Sequence, residues 1–439
     1  MILTWVSNNV ISENTIANND CGVTLNYYNT SNNKFCHNNF ADNIQQVCIT
    51  TFGYVNLWDN GYPSGGNYWS DYIGTDLNNG PDQNLTGSDG IGDTAYVIDE
   101  GNQDNYPLMR PWIPFENQTI YIRADGSIDP SGAPIHRKGD VYTLIGNITS
   151  EAYGIVIERD NMTLDGAGYT IRGPKTYDFN GIGIYQQSSI TVKNLNIDAF
   201  GRGITLLNAS GNTLFGNNIT ASNDTGIWLA DDSSGNILVE NSITNSEWHG
   251  IALLWSTNNT LSGNIMTKNQ YGIAIWGPTP DIPFRLGDFL QLIDASNFVN
   301  GKPTYYLVNQ TGWVINAQSH PQVGLLALIN CFNMTVEGLT LTGNPYGLLL
   351  AGTNNSTIAA NNVTGNMHGI MLDCSCNNTI SGNHIEKGNT GIHLDCASHS
   401  NNVYNNSITE TSRRAFHIWE SSNNTLRNNN MTNNSQGFE

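Results

Sequence analysis

Two groups of side chains in this sequence have types and spacings that could do chemistry. In the first, Asp76, Asn78, Asp82, Asp89 and Asp93 fall within eighteen residues. All are oxygen donors of the kind calcium gathers six to eight at a time, and Gly90 and Gly92 let backbone carbonyls turn inward. A solvated Asp/Asn/Gly turn region has the same composition. The second group is spread over three short segments, Met371-Leu372-Asp373, His393-Leu394-Asp395 and His417-Ile418-Trp419. Adjacent carboxylates can serve as acid and base on a sugar, and an indole offers its ring a stacking face. Such chemistry requires these distant segments to lie side by side; otherwise they are an incidental cluster on a polar outer face.

A repeat places them side by side. The phrase Gly-aliphatic-x-aliphatic begins at Gly347, Gly369 and Gly391, recurs with alanine at Ala415, and starts again at Gly437, at steps of 22 to 24 residues. Between these starts runs a second phrase, as in NNSTIAANNV and NNTISGNHI, in which single apolar residues alternate with small polar ones. Pieces this short are strands, since helices need 3.6-residue spacing and greater length. Alternation puts Leu348, Leu350, Ile358 and Val363 on one side. Gly and Asn supply the left-handed corners, and Asn361, Asn383 and Asn405 are placed to stack as an amide ladder. A fixed period with three strands per period is an all-β solenoid, a parallel β-helix of ~22-residue coils.

Composition narrows the class. The chain has 439 residues, 17 Lys+Arg against 37 Asp+Glu, and a formal net charge of −20. That argues against a nucleic-acid partner, which needs basic patches. No run of eighteen apolar residues is present, so no segment of this chain is expected to span a membrane. The opening MILTWV lacks the features of a signal peptide, and coil phrases are present from the start, so the chain reads as a fragment without its own signal or anchor. Seven Cys and many Asn-x-Ser/Thr triplets lean extracellular or cell-surface.

Taken in order, residues 1–53 read as the closing coils of a first β-helix unit, 54–118 as an Asp/Asn/Gly-rich cap and linker holding the possible calcium loop, and 119–439 as a second unit. Further Gly-aliphatic starts at Gly183, Gly203, Gly226, Gly250 and Gly272 give way to an excursion over about 277–327. The cassette GGNYWSDYIGTD, SDGIGDTAYVID and QDNYPLM, with the excursion phrase NFVNGKPTYYLVNQ, closely resembles the NosD-like β-helix family, related to the CASH domains of archaeal surface proteins. Asp76, Asn78, Asp89, Gly90, Gly92 and Asp93 match the family's acidic phrase, interrupted by Gly80-Pro81-Asp82-Gln83-Asn84. The resemblance implies a right-handed coil and a polysaccharide or cell-surface glycan as partner. It also implies copper, for which His393 and His417, with Met371 one coil away, are acceptable ligands.

Stacking the Gly-aliphatic strands predicts two outward columns: Trp228, Ala252, Ala274, Leu349, Met371, His393 and His417, and Ala230, Leu254, Trp276, Ala351, Asp373, Asp395 and Trp419. Asp373, His393, Asp395, His417 and Trp419 are therefore the expected glycan-binding patch, with Asp373, Asp395 and His393 as catalytic candidates if the chain is an enzyme. A binding or structural role ranks ahead of a polysaccharide lyase or hydrolase, because only Arg413 and Arg414 are near enough to act as a lyase's basic group. Cys374 and Cys396 occupy equivalent positions on stacked coils, ~4.8 Å apart, which suits either a disulfide or a reduced pair.

Overall fold

The computed structural model describes residues 1–26, 30–50, 55–112, 117–276 and 285–439. The expected boundary at 53/54 and the start of the excursion at 277 lie outside the described residues. Within them the chain is built of strands two to seven residues long, with a single 3-10 turn at Leu286–Phe289. No helix of the described residues is long and apolar enough to cross a membrane. The chain forms two compact units, Met1–Gly146 and Asn147–Glu439.

In the second unit each coil contributes three strands to three parallel sheets. Around the candidate patch one sheet stacks Tyr346–Ala351, His368–Asp373, Thr390–Asp395 and Arg414–Ile418 in register. Leu348, Leu350, Ile358, Val363 and Phe416 fill the interior of these coils, as alternation required. The glycines at the coil starts serve close approach. A Cβ on Gly369 would stand 2.5 Å from the Gly391 carbonyl oxygen and 2.6 Å from the Ile385 side chain. They are needed for close approach between coils, and the expected left-handed corners fall at other glycines, Gly352, Gly365 and Gly382, and at asparagines such as Asn355 and Asn377.

The amide ladder exists one residue away from its predicted third rung. Asn361 Nδ2 donates to Asn383 Oδ1 at 3.0 Å, Asn383 to Asn406 at 2.9 Å and Asn406 to Asn429 at 2.9 Å. Asn405 instead takes a left-handed corner, at φ 54°. Each rung also accepts a backbone N–H and donates to a buried carbonyl, as when Asn383 Oδ1 receives the Asn361 N–H and Asn383 Nδ2 bonds Ile358 O. These pairings satisfy corner groups that would each cost about 1–3 kcal/mol if buried alone.

The excursion changes which sheet the Gly-aliphatic strands join. Asn300 and Gly301 carry φ of 49° and 77°, the pattern of a tight type I′ turn. They fold Phe298–Val299 antiparallel against Lys302–Val308. Before this turn the Gly-aliphatic strands, ending in His249–Leu254 and Tyr271–Trp276, form one sheet. After it, Lys302–Val308 pairs with Leu325–Ile329 and leads into Tyr346–Ala351. That run continues the sheet whose earlier members include Ser242–Thr244 and Ile265–Thr267. The predicted columns thus do not run through from Ala274 to Leu349: Trp228 and Trp276 stand on one sheet, His393 and Asp395 on another.

In the first unit, Ile2–Thr4, Cys21–Asn26 and Gln45–Ile49 stack in parallel, and an aromatic pile closes the coils. Phe35 stacks on Trp58 at 4.2 Å, Phe40 on Trp69 at 4.3 Å and Trp69 on Tyr96 at 4.2 Å. At its centre Asp104 is fully buried, accepting from Asn67 N–H at 2.7 Å, Trp69 indole N–H at 2.9 Å and Tyr106 N–H at 3.0 Å. A Cβ on Gly66 would collide with this carboxylate at 1.8 Å, which accounts for the glycine in GGNYW.

Candidate functional site

The strand register assembles most of the expected patch. Met371, His393 and His417 occupy successive positions of one column, and Asp373 faces Asp395 in the next. The His393 and His417 rings lie 4.2 Å apart, and Trp419, 43% exposed, stands 6.3 Å from His417. A third imidazole, which the sequence reading missed, joins them: His368 stacks on His393 at 5.3 Å. It precedes a coil-start glycine. Because Gly369 and Ile370 both face the interior, the residue before them returns to the outer face, so the outward set begins one position earlier than simple alternation suggests.

This third ring contributes to a correction. His393 and Asp373 were expected to lie open on the outer face, yet they are only 7% and 8% exposed. Both ring nitrogens of His393 and Nδ1 of His368 are buried without a hydrogen-bond partner, where buried polar groups are normally satisfied. Burial first, then the neighbouring imidazoles and the Arg413 and Arg414 charges, pushes His393 down to about 2 and His368 to about 4. Both imidazoles are therefore neutral near pH 7. His393 Nε2 is 3.6 Å from Asp395 Oδ2, too long for a hydrogen bond. Burial, reinforced by the Asp395 charge, raises the Asp373 carboxyl to about 7, and burial raises Asp395 as well. Arg414 is buried and ion-paired with Glu439.

Next to Asp373 the row ends in sulfur. Cys374 donates to Cys396 Sγ across stacked coils at 3.1 Å, so the pair stands as thiols. The ligand atoms of Asp373, Cys374 and Cys396 all lie within 4.8 Å of one another, a grouping that no other His, Cys, Asp or Glu residues achieve among the described ones. Burial and the neighbouring cysteine push the Cys374 thiol well up. The disulfide lies elsewhere, joining Cys21 to Cys48 in the first unit. Their separation of 27 exceeds the coil step, because Cys21 pairs in register with Gln45 and Cys48 with Thr24. Matching equivalent coil positions therefore passed over a diagonal pair.

The acidic loop is held together by its own carboxylates. Asp76 accepts the Asp89 and Gly90 N–H groups and the Ser88 hydroxyl. Asp93 accepts the Leu77 and Asn78 N–H groups, and Asp89 accepts from Ile91 N–H and Gln83. Among the described residues Asp76, Asp89 and Asp93 do not form a close cation-binding group. The expectation of calcium thus finds no support; the carboxylates act as turn acceptors.

A family model described as right handed beta helix region matches residues 135–289, and one described as periplasmic copper-binding protein (NosD) matches residues 2–74 and 292–439. The chain matches no curated protein in sequence. Among solved structures, it is similar to the A-module of Azotobacter vinelandii mannuronan C-5 epimerase AlgE4, with 12% identity and a TM-score of 0.31 over 68% of this chain and 86% of that one. It is also similar to an alginate lyase from Paenibacillus sp. str. FPU-7, with 10% identity and a TM-score of 0.22 over 65% and 92%.

Proposed function

Since the chain belongs to the right-handed β-helix family of periplasmic copper-binding protein (NosD), whose model covers half of it, we propose that it is an extracytoplasmic binding protein that takes copper(I) at Cys374, Cys396 and Asp373. The observation that carries this reading is the convergence of two sulfurs and a carboxylate on stacked strands. Thiolates are soft ligands that favour copper(I), and the neutral imidazole row beside them suits the same metal. Binding releases the thiol protons to solvent, and the metal is cargo here rather than a catalytic group. The Cys21–Cys48 disulfide supports an oxidising compartment.

Anaerobic competition against bicinchoninate tests this. Wild type is expected to withdraw one equivalent of copper(I), and Cys374→Ser with Cys396→Ser to lower the affinity at least 1000-fold, while Cys331→Ser, remote in sequence, leaves it unchanged. A double variant that competes like wild type rejects the site.

Glycan binding at Asp373, His393, Asp395, His417 and Trp419 is a second reading, favoured by the exposed indole of Trp419 beside His417. With Asp373 and His393 buried, it reduces to Trp419, His417 and the partly exposed Asp395. Trp419→Ala is then expected to weaken binding of a retained polysaccharide about tenfold; unchanged retention in affinity electrophoresis argues against it.

A further inference from the structure

The Gly-aliphatic strands before the excursion carry an aromatic cluster that the copper reading does not use. Trp228 and Trp276 approach at 6.5 Å, Trp248 and Trp276 at 6.0 Å, and His249 lies 4.7 Å from Trp248 and 4.8 Å from Trp276. Three indoles and an imidazole are thus gathered on the outer face of three successive coils. Large aromatics are normally spent inside the core. Here Trp228 and Trp276 are only partly buried and Trp248 is 39% exposed.

The residues in register with them are small. Trp228 pairs in register with Thr205 on one side and Ala252 on the other, and Ala252 pairs with Ala274. Two fully buried polar atoms in this cluster have no hydrogen-bond partner: Thr205 Oγ1 and His249 Nε2. Buried polar groups are normally satisfied, so each is an open position for a hydrogen bond. Burial holds the His249 imidazole down to about 3, so it is neutral. Arg202 covers one face of Trp228 at 3.9 Å, and its charge is already matched by Asp224 at 2.7 Å.

We propose that Trp228, Trp248 and Trp276 form a stacking platform for the pyranose ring of a neutral glycan, whose hydroxyls reach Thr205 and His249. Flat, weakly polar CH faces of a pyranose match indole faces, and equatorial hydroxyls supply the donors and acceptors that Thr205 and His249 lack. An acidic sugar would need a cation, and Arg202 is taken up by Asp224.

The full chain should be titrated with cellohexaose, laminarihexaose, mannohexaose and alginate hexamer, with calorimetry and tryptophan fluorescence as readouts. The expected result is that at least one neutral hexamer binds and shifts the indole emission. Trp228→Ala and Trp276→Ala should each weaken that binding at least tenfold, Trp228→Phe should retain most of it, and Trp419→Ala should leave it unchanged. His249→Gln, which keeps a polar group there, should hold affinity within a few-fold, whereas His249→Leu should lose it. No binding of any neutral hexamer at millimolar concentration overturns the proposal. So does binding that survives Trp228→Ala and Trp276→Ala, or that is lost only in Trp419→Ala, which would place the glycan on the other sheet. Copper(I) affinity is expected to be unchanged in all Trp228 and Trp276 variants, so failure here and failure of the thiol site are separable.

Discussion

Asp104→Ala is expected to melt the aromatic cap of the first unit. The substitution strands the Asn67, Tyr106 and Trp69 N–H donors that now converge on the carboxylate. At about 1–3 kcal/mol for each buried donor left alone, the loss is on the order of 5 kcal/mol, enough to unfold a marginal element. Hydrogen exchange read at the Asn67 and Trp69 amides should show it, and wild-type protection at both would refute the assignment. Burial also raises the Asp104 carboxyl to about 7, against the three donors that pull it down. With the folded value above the unfolded one, its contribution to stability is fully present below about pH 4 and is lost as the pH rises through about 7. The first unit should therefore melt at a lower temperature at pH 8 than at pH 5. Asp104→Asn, which keeps an oxygen acceptor but cannot ionise, should flatten that dependence.

The second large effect concerns protons at the thiol site. Cys374 starts as a thiol well above its ordinary range and must ionise to bind metal. Asp373, raised to about 7, must also lose its proton at lower pH. Metal and protons therefore compete, and copper(I) affinity should rise with pH by at least tenfold per unit. The slope should be steeper below pH 7, where Asp373 still holds its proton, and Asp373→Asn should remove the extra steepness while keeping the thiol slope. Competition titrations at pH 6, 7 and 8 measure this; an affinity flat across that range would exclude thiolate ligation.

Much of this architecture was legible in the sequence because a solenoid writes its fold as a period. The Gly-aliphatic starts gave the strands, and alternation placed Leu348, Ile358 and Val363 inside. Coil starts 24 and 22 residues apart put His393 beside His417 and Asp373 beside Asp395. What failed were features set by more than one coil step. The ladder continues at Asn406, not Asn405, because the coil between is one residue longer. His368 was missed because two consecutive interior residues, Gly369 and Ile370, reset the alternation. The Asn300-Gly301 hairpin had a readable local signal in NFVNGK, but a turn type does not say which sheet the next strand joins. The thiol pair was placed correctly in space, and the spacing left its bonded state open. The acidic loop supplied oxygen donors without revealing that backbone N–H groups would claim them.

The sheet exchange at Phe298–Val299 and Lys302–Val308 bears on avidity. A stiff polymer lying along one face of the second unit follows a single sheet, so it can meet the indoles of the earlier coils or the imidazoles and Trp419 of the later ones, but not both. Linked binding of one molecule at both places would require a ligand able to bend or branch around the coil, and for a stiff ligand the effective concentration at the second place is near zero. If both proposed sites bind, the two faces would act as separate addresses, each holding its own cargo without competing for the same strand surface.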